Sequence, residues 1–254
     1  VRLPARGPHP FLPRARQSRS VYDAVHAHPE GESTVARLAS TAESNGYDGV
    51  VVRNWRDAEP ARGREELVDQ TGVDVVTGVE LSVTDRSQAS GHIANVRDDV
   101  TVLAARADSP ATNRFVAESE RVDVLAAPMA GGGDVNHVVV KAARDHGVRL
   151  EFDLSRVLRA SGGERVQALR GLRKLRELVE HYDAPFVVSG RAASHLHLRA
   201  PRELVAVGEE IGFTEAQIRA GLGEWTHLAA RNRRLLSEEF IAPGVERGRY
   251  EEDA

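Results

Sequence analysis

The chain has no cysteine, and only Lys141 and Lys174 are lysines among its 254 residues. The first absence excludes a disulfide framework, a thiolate metal site and a cysteine nucleophile. No apolar run exceeds strand length, which excludes a membrane-spanning helix. A complete internal repeat and a glycine-rich dinucleotide fingerprint are also missing. Gly131-Gly132-Gly133 lacks the following Lys-Ser/Thr of a phosphate loop, so it predicts a flexible turn before Asp134 caps the next helix. Ser194 beside His195 has no placed acid, and serine-hydrolase chemistry finds no support.

Apolar residues make up 41% of the chain and charged residues 28%. That balance suits a soluble globular protein, and the length suits one α/β domain better than two. The formal net charge of -4 hides two populations. Residues 1–20 hold Arg2, Arg6, Arg14, Arg16 and Arg19 with no Asp or Glu. Removing those five from the 34 basic residues leaves 29 against 38 acidic ones, a net of -9. Arginine supplies nearly all the positive charge; a GC-rich genome, a high-salt cytoplasm and multidentate RNA contacts all accommodate these biases.

Pro4, Pro8, Pro10 and Pro13 interrupt residues 1–20, which contain no long apolar run. The expectation is a basic, disordered extension, either without function or contacting nucleic acid. The folded domain is expected over 21–240, with a flexible tail over 241–254.

Seven apolar segments punctuate the domain: Val21–Ala27, Gly49–Arg53, Val73–Leu81, Val100–Ala104, Val122–Ala126, Val148–Phe152 and Phe186–Val188. Their β-branched runs suit buried parallel strands, with spacing that admits crossover helices. Ser33-Thr34, Ser109-Pro110 and His146-Gly147 supply helix starts and a stop. A helix over Glu164–Glu180 turns Leu169, Leu172, Leu175 and Val179 inward, with Arg170, Arg173 and Lys174 on its polar side. Thr214 and Gln217 have capping-box spacing. A last helix is expected over Gly223–Glu239, with Trp225, Leu228, Leu235 and Leu236 as apolar contacts. The rhythm predicts a single α/β, TIM-barrel-like domain of seven principal strands with surrounding helices, or else a doubly wound sheet.

GVELSV at Gly78–Val83 and GVRLEFDLSRVL at Gly147–Leu158 run apolar strands into acidic or polar ends. Strand carboxyl ends are where such a barrel displays functional groups. His26 and His28 would share one side of an extended strand, and Glu80 and Asp153 could approach them from other strands. Such a cluster could hold a divalent metal and activate water for phosphoester hydrolysis. Polar strand-end packing is the competing reading; there Asp23 and Asp153 accept backbone hydrogen bonds and anchor loops.

Arginines point elsewhere. Arg165, Arg170, Arg173, Lys174 and Arg176 line one helix, and phosphate binding would favour such a surface. Arg173–Glu177 and Arg176–Glu180 have the i,i+4 spacing of exposed intrahelical pairs, which would occupy the same groups. Arg191, Arg199 and Arg202 form a second group, followed by Arg231, Arg233 and Arg234. Arg53-Asn54-Trp55 could present a cation, an amide and a ring together.

YDAVHAHPEGESTVARLASTAESNGYDGVVVRN at Tyr22–Asn54 resembles the start of archaeal ribonuclease P protein component 3. Asn113–Leu158, LRKLRELVEHYDAPFVVSG at Leu172–Gly190 and LRAPRELVAVGEEIGF at Leu198–Phe213 continue the resemblance in order. It covers most of Val21–Phe240. Gly190-Arg191 departs from the serine-alanine pair expected after that strand.

The resemblance implies a barrel related to the polymerase-and-histidinol-phosphatase fold. It implies a cytoplasmic subunit of the endoribonuclease that removes 5′ leaders from precursor tRNA. The catalytic RNA would perform the chemistry with magnesium, and the subunit itself would bind no cofactor or metal. Implied partners are ribonuclease P RNA, protein component 2, the other ribonuclease P protein subunits and precursor tRNA, with no membrane. Arg53, Asn54, Asn113, Arg114, Asn136, His137, Arg199 and Arg202 lie in the matching segments as candidate RNA contacts. Arg173, Lys174, Arg176, Arg233 and Arg234 join them from charge and helix placement. His26, His28 and Glu80 resemble part of the metal arrangement in related phosphoesterases, and a metal-dependent phosphoesterase is the alternative activity. A scaffold meeting an acidic protein partner is a third.

Overall fold

The computed structural model describes residues 20–55, 71–130 and 135–237, with the backbone of two short strands beyond them. Seven strands form one sheet in chain order: β1 (Tyr22–Val25), β2 (Gly49–Val52), β3 (Asp74–Val83), β4 (Val102–Ala107), β5 (Val124–Leu125), β6 (Arg149–Asp153) and β7 (Phe186–Ser189). Each pairs in parallel with the next. A parallel bridge from Val25 to Ala192 brings the end of β7 back to β1, and His26 N donates to Ala192 O at 2.9 Å. The sheet is therefore a nearly closed barrel, and the doubly wound alternative is set aside. Each of the seven apolar segments supplies one strand.

Helices α1 (Val35–Ser44), α2 (Arg86–Arg97), α3 (Pro110–Ala117), α4 (His137–His146), α5 (Ser155–Arg159), α6 (Gly162–Tyr182), α7 (Pro201–Ile211) and α8 (Glu215–Leu235) surround it. Thr34 caps α1 by accepting from Arg37 N. Ser109 and Thr112 form a reciprocal box at α3 with Pro110 in its first turn. Gly147, at φ 68°, ends α4 in the left-handed region that glycine enters without a Cβ penalty. The cap of α4 is Asn136, which accepts from Val138 N and Val139 N; it directly precedes the helix, whereas the expected Asp134 is two residues farther away. Gly131–Asp134 lie outside the described residues. Leu172, Leu175 and Val179 of α6 are buried as the stripe requires, with Leu169 half-buried.

Side chains alternate across a strand, so one parity from each strand fills the barrel. Tyr22, Ala24, Val51, Val76, Val102, Ala104, Val124, Ala126 and Val187 pack there against Trp225, Leu228 and Ala229 of α8. Trp225 is buried, and its indole N–H donates to Val188 O at 2.8 Å. Between sheet and outer helices lies a second apolar layer. There Phe152, Phe186 and Phe213 meet with ring centroids 4.9–5.3 Å apart.

Two expectations about α8 need correction. Thr214 and Gln217 cap this same helix, which begins at Glu215 instead of Gly223. Gly221 lies inside it because the helix presses on β7: a Cβ there would sit 2.6 Å from Val188 Cγ2 and 2.8 Å from Phe186 Cε2. At the other end, Leu235 and Leu236 are 46% and 41% exposed, so they are not core contacts. The helix has passed the barrel by then.

Residues 1–19, which carry the expected basic extension, lie outside the described residues. The expected tail contains part of an antiparallel ribbon, Phe240–Ala242 with Val245–Glu246.

Candidate functional site at the barrel mouth and on the basic helices

The inward parity that is apolar at the amino-terminal end turns polar at the carboxyl end. His26, Arg53, Glu80, Arg106, Glu151 and Ser189 continue the alternation of β1, β2, β3, β4, β6 and β7. Glu80 and Glu151 are buried on all sides, so each carboxylate needs a positive or hydrogen-bonding partner. Arg53 donates to Glu151 through a short hydrogen bond. Ser189 Oγ adds a donor to the same oxygen at 2.5 Å, and Ala127 N reaches the other at 2.9 Å. Glu80 collects three cations: Arg191 Nη2 at 2.8 Å, Arg106 Nε at 3.2 Å and Arg53 Nε at 3.7 Å.

Burial alone would raise the Glu151 carboxyl. Arg53 and Arg191, with the donors Ser189 and Arg53, outweigh it and hold that carboxyl below its ordinary value. Burial would likewise lower the Arg53 guanidinium, but Glu151 and Glu80 raise it instead. The face of the Trp225 ring lies 5.4 Å from the same guanidinium. This is a mutually dependent network, in which removing one member strands another.

Asp23 occupies the opposite parity and anchors the closure, as the reading of strand-end aspartates predicts. Its Oδ1 accepts from Ala24 N and Gly190 N, both at 2.8 Å. Burial pushes this carboxyl up to about 7 against the pull of those two N–H groups. A Cβ on residue 190 would stand 2.9 Å from Asp23 Oδ2, which accounts for glycine there. Asp153 Oδ1 accepts from Ser155 N at 2.8 Å, anchoring the start of α5 in the same way.

The His26–His28–Glu80 set does not assemble. β1 ends at Val25, so period-two geometry no longer relates the two imidazoles. The chain turns back, with Gly31 N on Ala27 O at 2.8 Å and His28 N on Ser33 O at 2.8 Å. His28 is exposed while His26 is buried, 2.8 Å from Glu30 Oε1 and 3.2 Å from Arg191 Nε. Among the described residues no three His, Cys, Asp or Glu side chains are grouped to hold a metal ion. A resident metal does not fit this mouth: guanidinium groups stand among its carboxylates.

Three candidate RNA contacts are also corrected. Arg53, Asn54 and Asn113 are buried within the chain, where RNA has no access. Arg53 serves the mouth. Asn54 brackets the Ala27 peptide, with Oδ1 accepting from Ala27 N at 2.8 Å and Nδ2 donating to Ala27 O at 2.6 Å. Asn113 lies on the covered side of α3, one residue from the exposed Arg114, which pairs with Glu118 at 2.7 Å.

Other candidates reach the surface. Asn136 and His137 are exposed at the start of α4, although Asn136 also caps it. On α6, Arg173 and Lys174 are exposed, and Arg173 Nη2 donates to Glu210 O at 2.8 Å. Arg176 is half-buried and makes the expected pair with Glu180. Arg199 is half-buried beside the turn His195–His197, with Nη1 on Leu196 O at 3.0 Å; Arg202 is exposed in the first turn of α7. Arg233 grips Asp74 through two hydrogen bonds of 2.7 Å, and Arg234 is exposed beside it. These side chains occupy several helices instead of one continuous stripe.

Sequence reasoning passed over Glu151, Arg106 and Ser189. The available signal was charge at an inward parity within an apolar strand: VELSV and VLAARA each carry one, and RLEFD carries Arg149, Glu151 and Asp153 on one face. Such a charge must find a partner inside the barrel.

The family model for RNase P subunit p30 matches residues 20–238. Ribonuclease P protein component 3 of Halobacterium salinarum is 74% identical over 235 residues, covering 92% of this chain and 100% of the relative. The protein of that name from Methanococcoides burtonii is 31% identical, over 90% of this chain and 94% of its own length. Among solved structures, a cryo-EM structure of archaeal ribonuclease P with mature tRNA contains a chain of the same fold. The TM-score is 0.78 at 20% identity, over 91% of this chain and 100% of that one. A histidinol phosphate phosphatase from Lactococcus lactis, complexed with zinc, L-histidinol and phosphate, shares the fold more distantly. Its TM-score is 0.52 at 10% identity, over 76% of this chain and 94% of that one. With its sequence aligned to the p30 model from β1 to the end of α8, the chain belongs to the ribonuclease P protein component 3 family.

Proposed function

We propose that this chain is the component 3 subunit of an archaeal ribonuclease P and assists its RNA in removing 5′ leaders from precursor tRNA. The observation that carries the proposal is 74% identity to a protein of that name along the whole of the relative. The barrel mouth supports it: guanidinium groups neutralise the strand-end carboxylates that hydrolytic chemistry would need free. Phosphodiester cleavage then rests with the RNA and its magnesium ions. The subunit works in the cytoplasm as a rigid body that braces folded RNA and joins component 2 and the other protein subunits.

The contacts assigned to RNA are the outward cations Arg114, Arg173, Lys174, Arg176, Arg199, Arg202, Arg233 and Arg234, with Asn136 and His137 adding directional groups. Arg202 is the first choice for a direct test, since α7 presents it to solvent in the first turn. Each phosphate contact contributes about 0.7–0.9 to the slope of log affinity against log salt.

The test is reconstitution of precursor-tRNA cleavage from the cognate RNA and proteins, with and without this chain. Omission is expected to weaken cleavage and to raise the magnesium it requires. Replacing both Arg199 and Arg202 with alanine should lower RNA affinity and reduce the salt slope by about 1–2. Cleavage, substrate affinity and RNA folding that ignore the omission across magnesium concentrations would remove the proposal.

A further inference from the structure

Helices α2, α3 and α4 follow three successive strands, β3, β4 and β5. An open cleft of about 540 Å3 lies between the first turns of α2 and α4 and the side of α3. That volume falls within the range of about 300–1,000 Å3 typical of small-ligand sites. Pro110, Phe115 and Val138 give the cleft an apolar wall, and Val138 is 38% exposed. The rim is polar. Arg86, exposed at the start of α2, makes no ion pair among the described residues. Its guanidinium lies 5.7 Å from the centroid of the Phe115 ring. Asn136 commits Oδ1 to Val138 N and Val139 N at 3.0 and 3.3 Å, which fixes the amide and leaves Nδ2 as an oriented donor.

An apolar stacking wall, a cation beside it and one fixed donor match the parts of an unstacked nucleotide: a flat ring, a phosphate and an acceptor on the base edge. A protein segment fits less well. Only nine residues line the cleft, against the roughly 20–30 on each side that a stable protein interface engages. We propose that this cleft receives one unpaired nucleotide of the ribonuclease P RNA. Its base lies against Phe115 and Val138, its phosphate meets Arg86, and Asn136 Nδ2 donates to the base edge. The inference rests on the assignment of the subunit to ribonuclease P and adds Arg86 and Phe115 to its RNA surface. Stacking accepts any base, so the cleft selects an extruded nucleotide and not a sequence.

The test titrates the full chain with the cognate ribonuclease P RNA at several salt concentrations. Phe115→Leu keeps apolar bulk and removes the ring. Asn136→Ser keeps a helix cap and removes the amide donor. Phe115→Leu is expected to weaken binding about tenfold and Asn136→Ser about two- to tenfold, with the salt slope unchanged because no charge is altered. Arg86→Gln should weaken binding and reduce the slope by about 0.7–0.9. Thermal melts identify folded variants, and the exposed positions 86 and 136 carry the test if Phe115→Leu does not fold. In the complex reconstituted with precursor tRNA and the other subunits, a benzophenone amino acid replacing the exposed Ala111 should crosslink to an unpaired residue of the ribonuclease P RNA. The proposal is overturned if folded Asn136→Ser or Arg86→Gln binds RNA as wild type does. It is overturned equally if the crosslink misses that RNA, whether or not it reaches precursor tRNA or a protein subunit. Either result leaves the wider assignment standing while omission of the chain still impairs cleavage; omission without effect removes the assignment itself.

Discussion

Replacing Glu151 with glutamine keeps the shape of the side chain and removes its charge, so it isolates the electrostatic role of the mouth. In the native protein Arg53 is wholly enclosed and donates to Glu151 directly. After the change its remaining carboxylate is Glu80, 3.7 Å from Nε and already held by Arg191 and Arg106. Breaking a buried pair costs about 3–5 kcal/mol, and the residual attraction to Glu80 places this case near the lower end. Against a total stability of roughly 5–15 kcal/mol, that is a large fraction. With a urea slope of about 1–3 kcal/mol per molar, the unfolding midpoint should fall by about 1 M or more. Urea is the right denaturant because guanidinium salts would screen the interaction being measured. The double variant Arg53→Met, Glu151→Leu should recover only part of the loss, since neither charge is then left unpaired but Ser189 Oγ and Ala127 N lose their acceptor. A loss under about 1 kcal/mol for Glu151→Gln would refute the reasoning, because Arg53 would then be solvated well enough to need no partner.

Three further outcomes follow from the same contacts. Glu151 has a lower carboxyl pKa folded than unfolded, so its stabilisation is full above the ordinary carboxylate range and disappears as pH falls through the folded value. The wild-type minus Glu151→Gln stability difference should therefore shrink on acidification, and a pH-independent difference would contradict the assignment. Asp23 behaves oppositely: raised to about 7, it favours the fold most at low pH and progressively less as pH rises toward 7. Asp23→Asn should lack that slope in paired urea titrations, and equal slopes in the two proteins would mean that the carboxyl is not buried in its protonated form. Gly221→Ala must force Val188 and Phe186 aside at 2.6–2.8 Å, and the overpacking of about 1–3 kcal/mol exceeds a helix-propensity gain of about 1 kcal/mol at best. Gly91→Ala in α2 meets nothing within 4 Å and should stabilise by about 0.5–1 kcal/mol; thermal melts of the pair that shifted the same way would undo the contrast.

The mouth also bears on how a fold used for hydrolysis in one protein can serve another purpose here. Strand carboxyl ends of a barrel converge whatever their chemistry, and convergence of acids without a cation is unfavourable. In this chain the cations are covalent. Arg53, Arg106 and Arg191 come from β2, β4 and the turn after β7, tying three parts of the barrel to Glu80. Rigidity of that kind suits a body that must hold its surface groups at fixed spacing against RNA.

By itself the sequence determined the seven strands and their helices, because its evidence is local: β-branched runs, capping residues at Thr34 and Ser109, and a glycine stop at 147 act through neighbours in the chain, whereas the choice of a barrel over a doubly wound sheet fell to the closure of Ala192 on Val25. It also determined the family, since a long ordered match does not depend on knowing which side chains meet. Tertiary structure decided the fate of individual charges. Arg53 and Arg202 are the same residue type, yet one is enclosed by Glu80, Glu151 and Trp225 while the other faces water. Strand parity assigns a side chain to the interior only once the strand's ends are known, and with β1 ending at Val25 the alternation still carries His26 inward but no longer reaches His28. Burial is a property of what arrives from elsewhere in the chain, so the cations that hold the barrel together were separable from those available to RNA only in three dimensions.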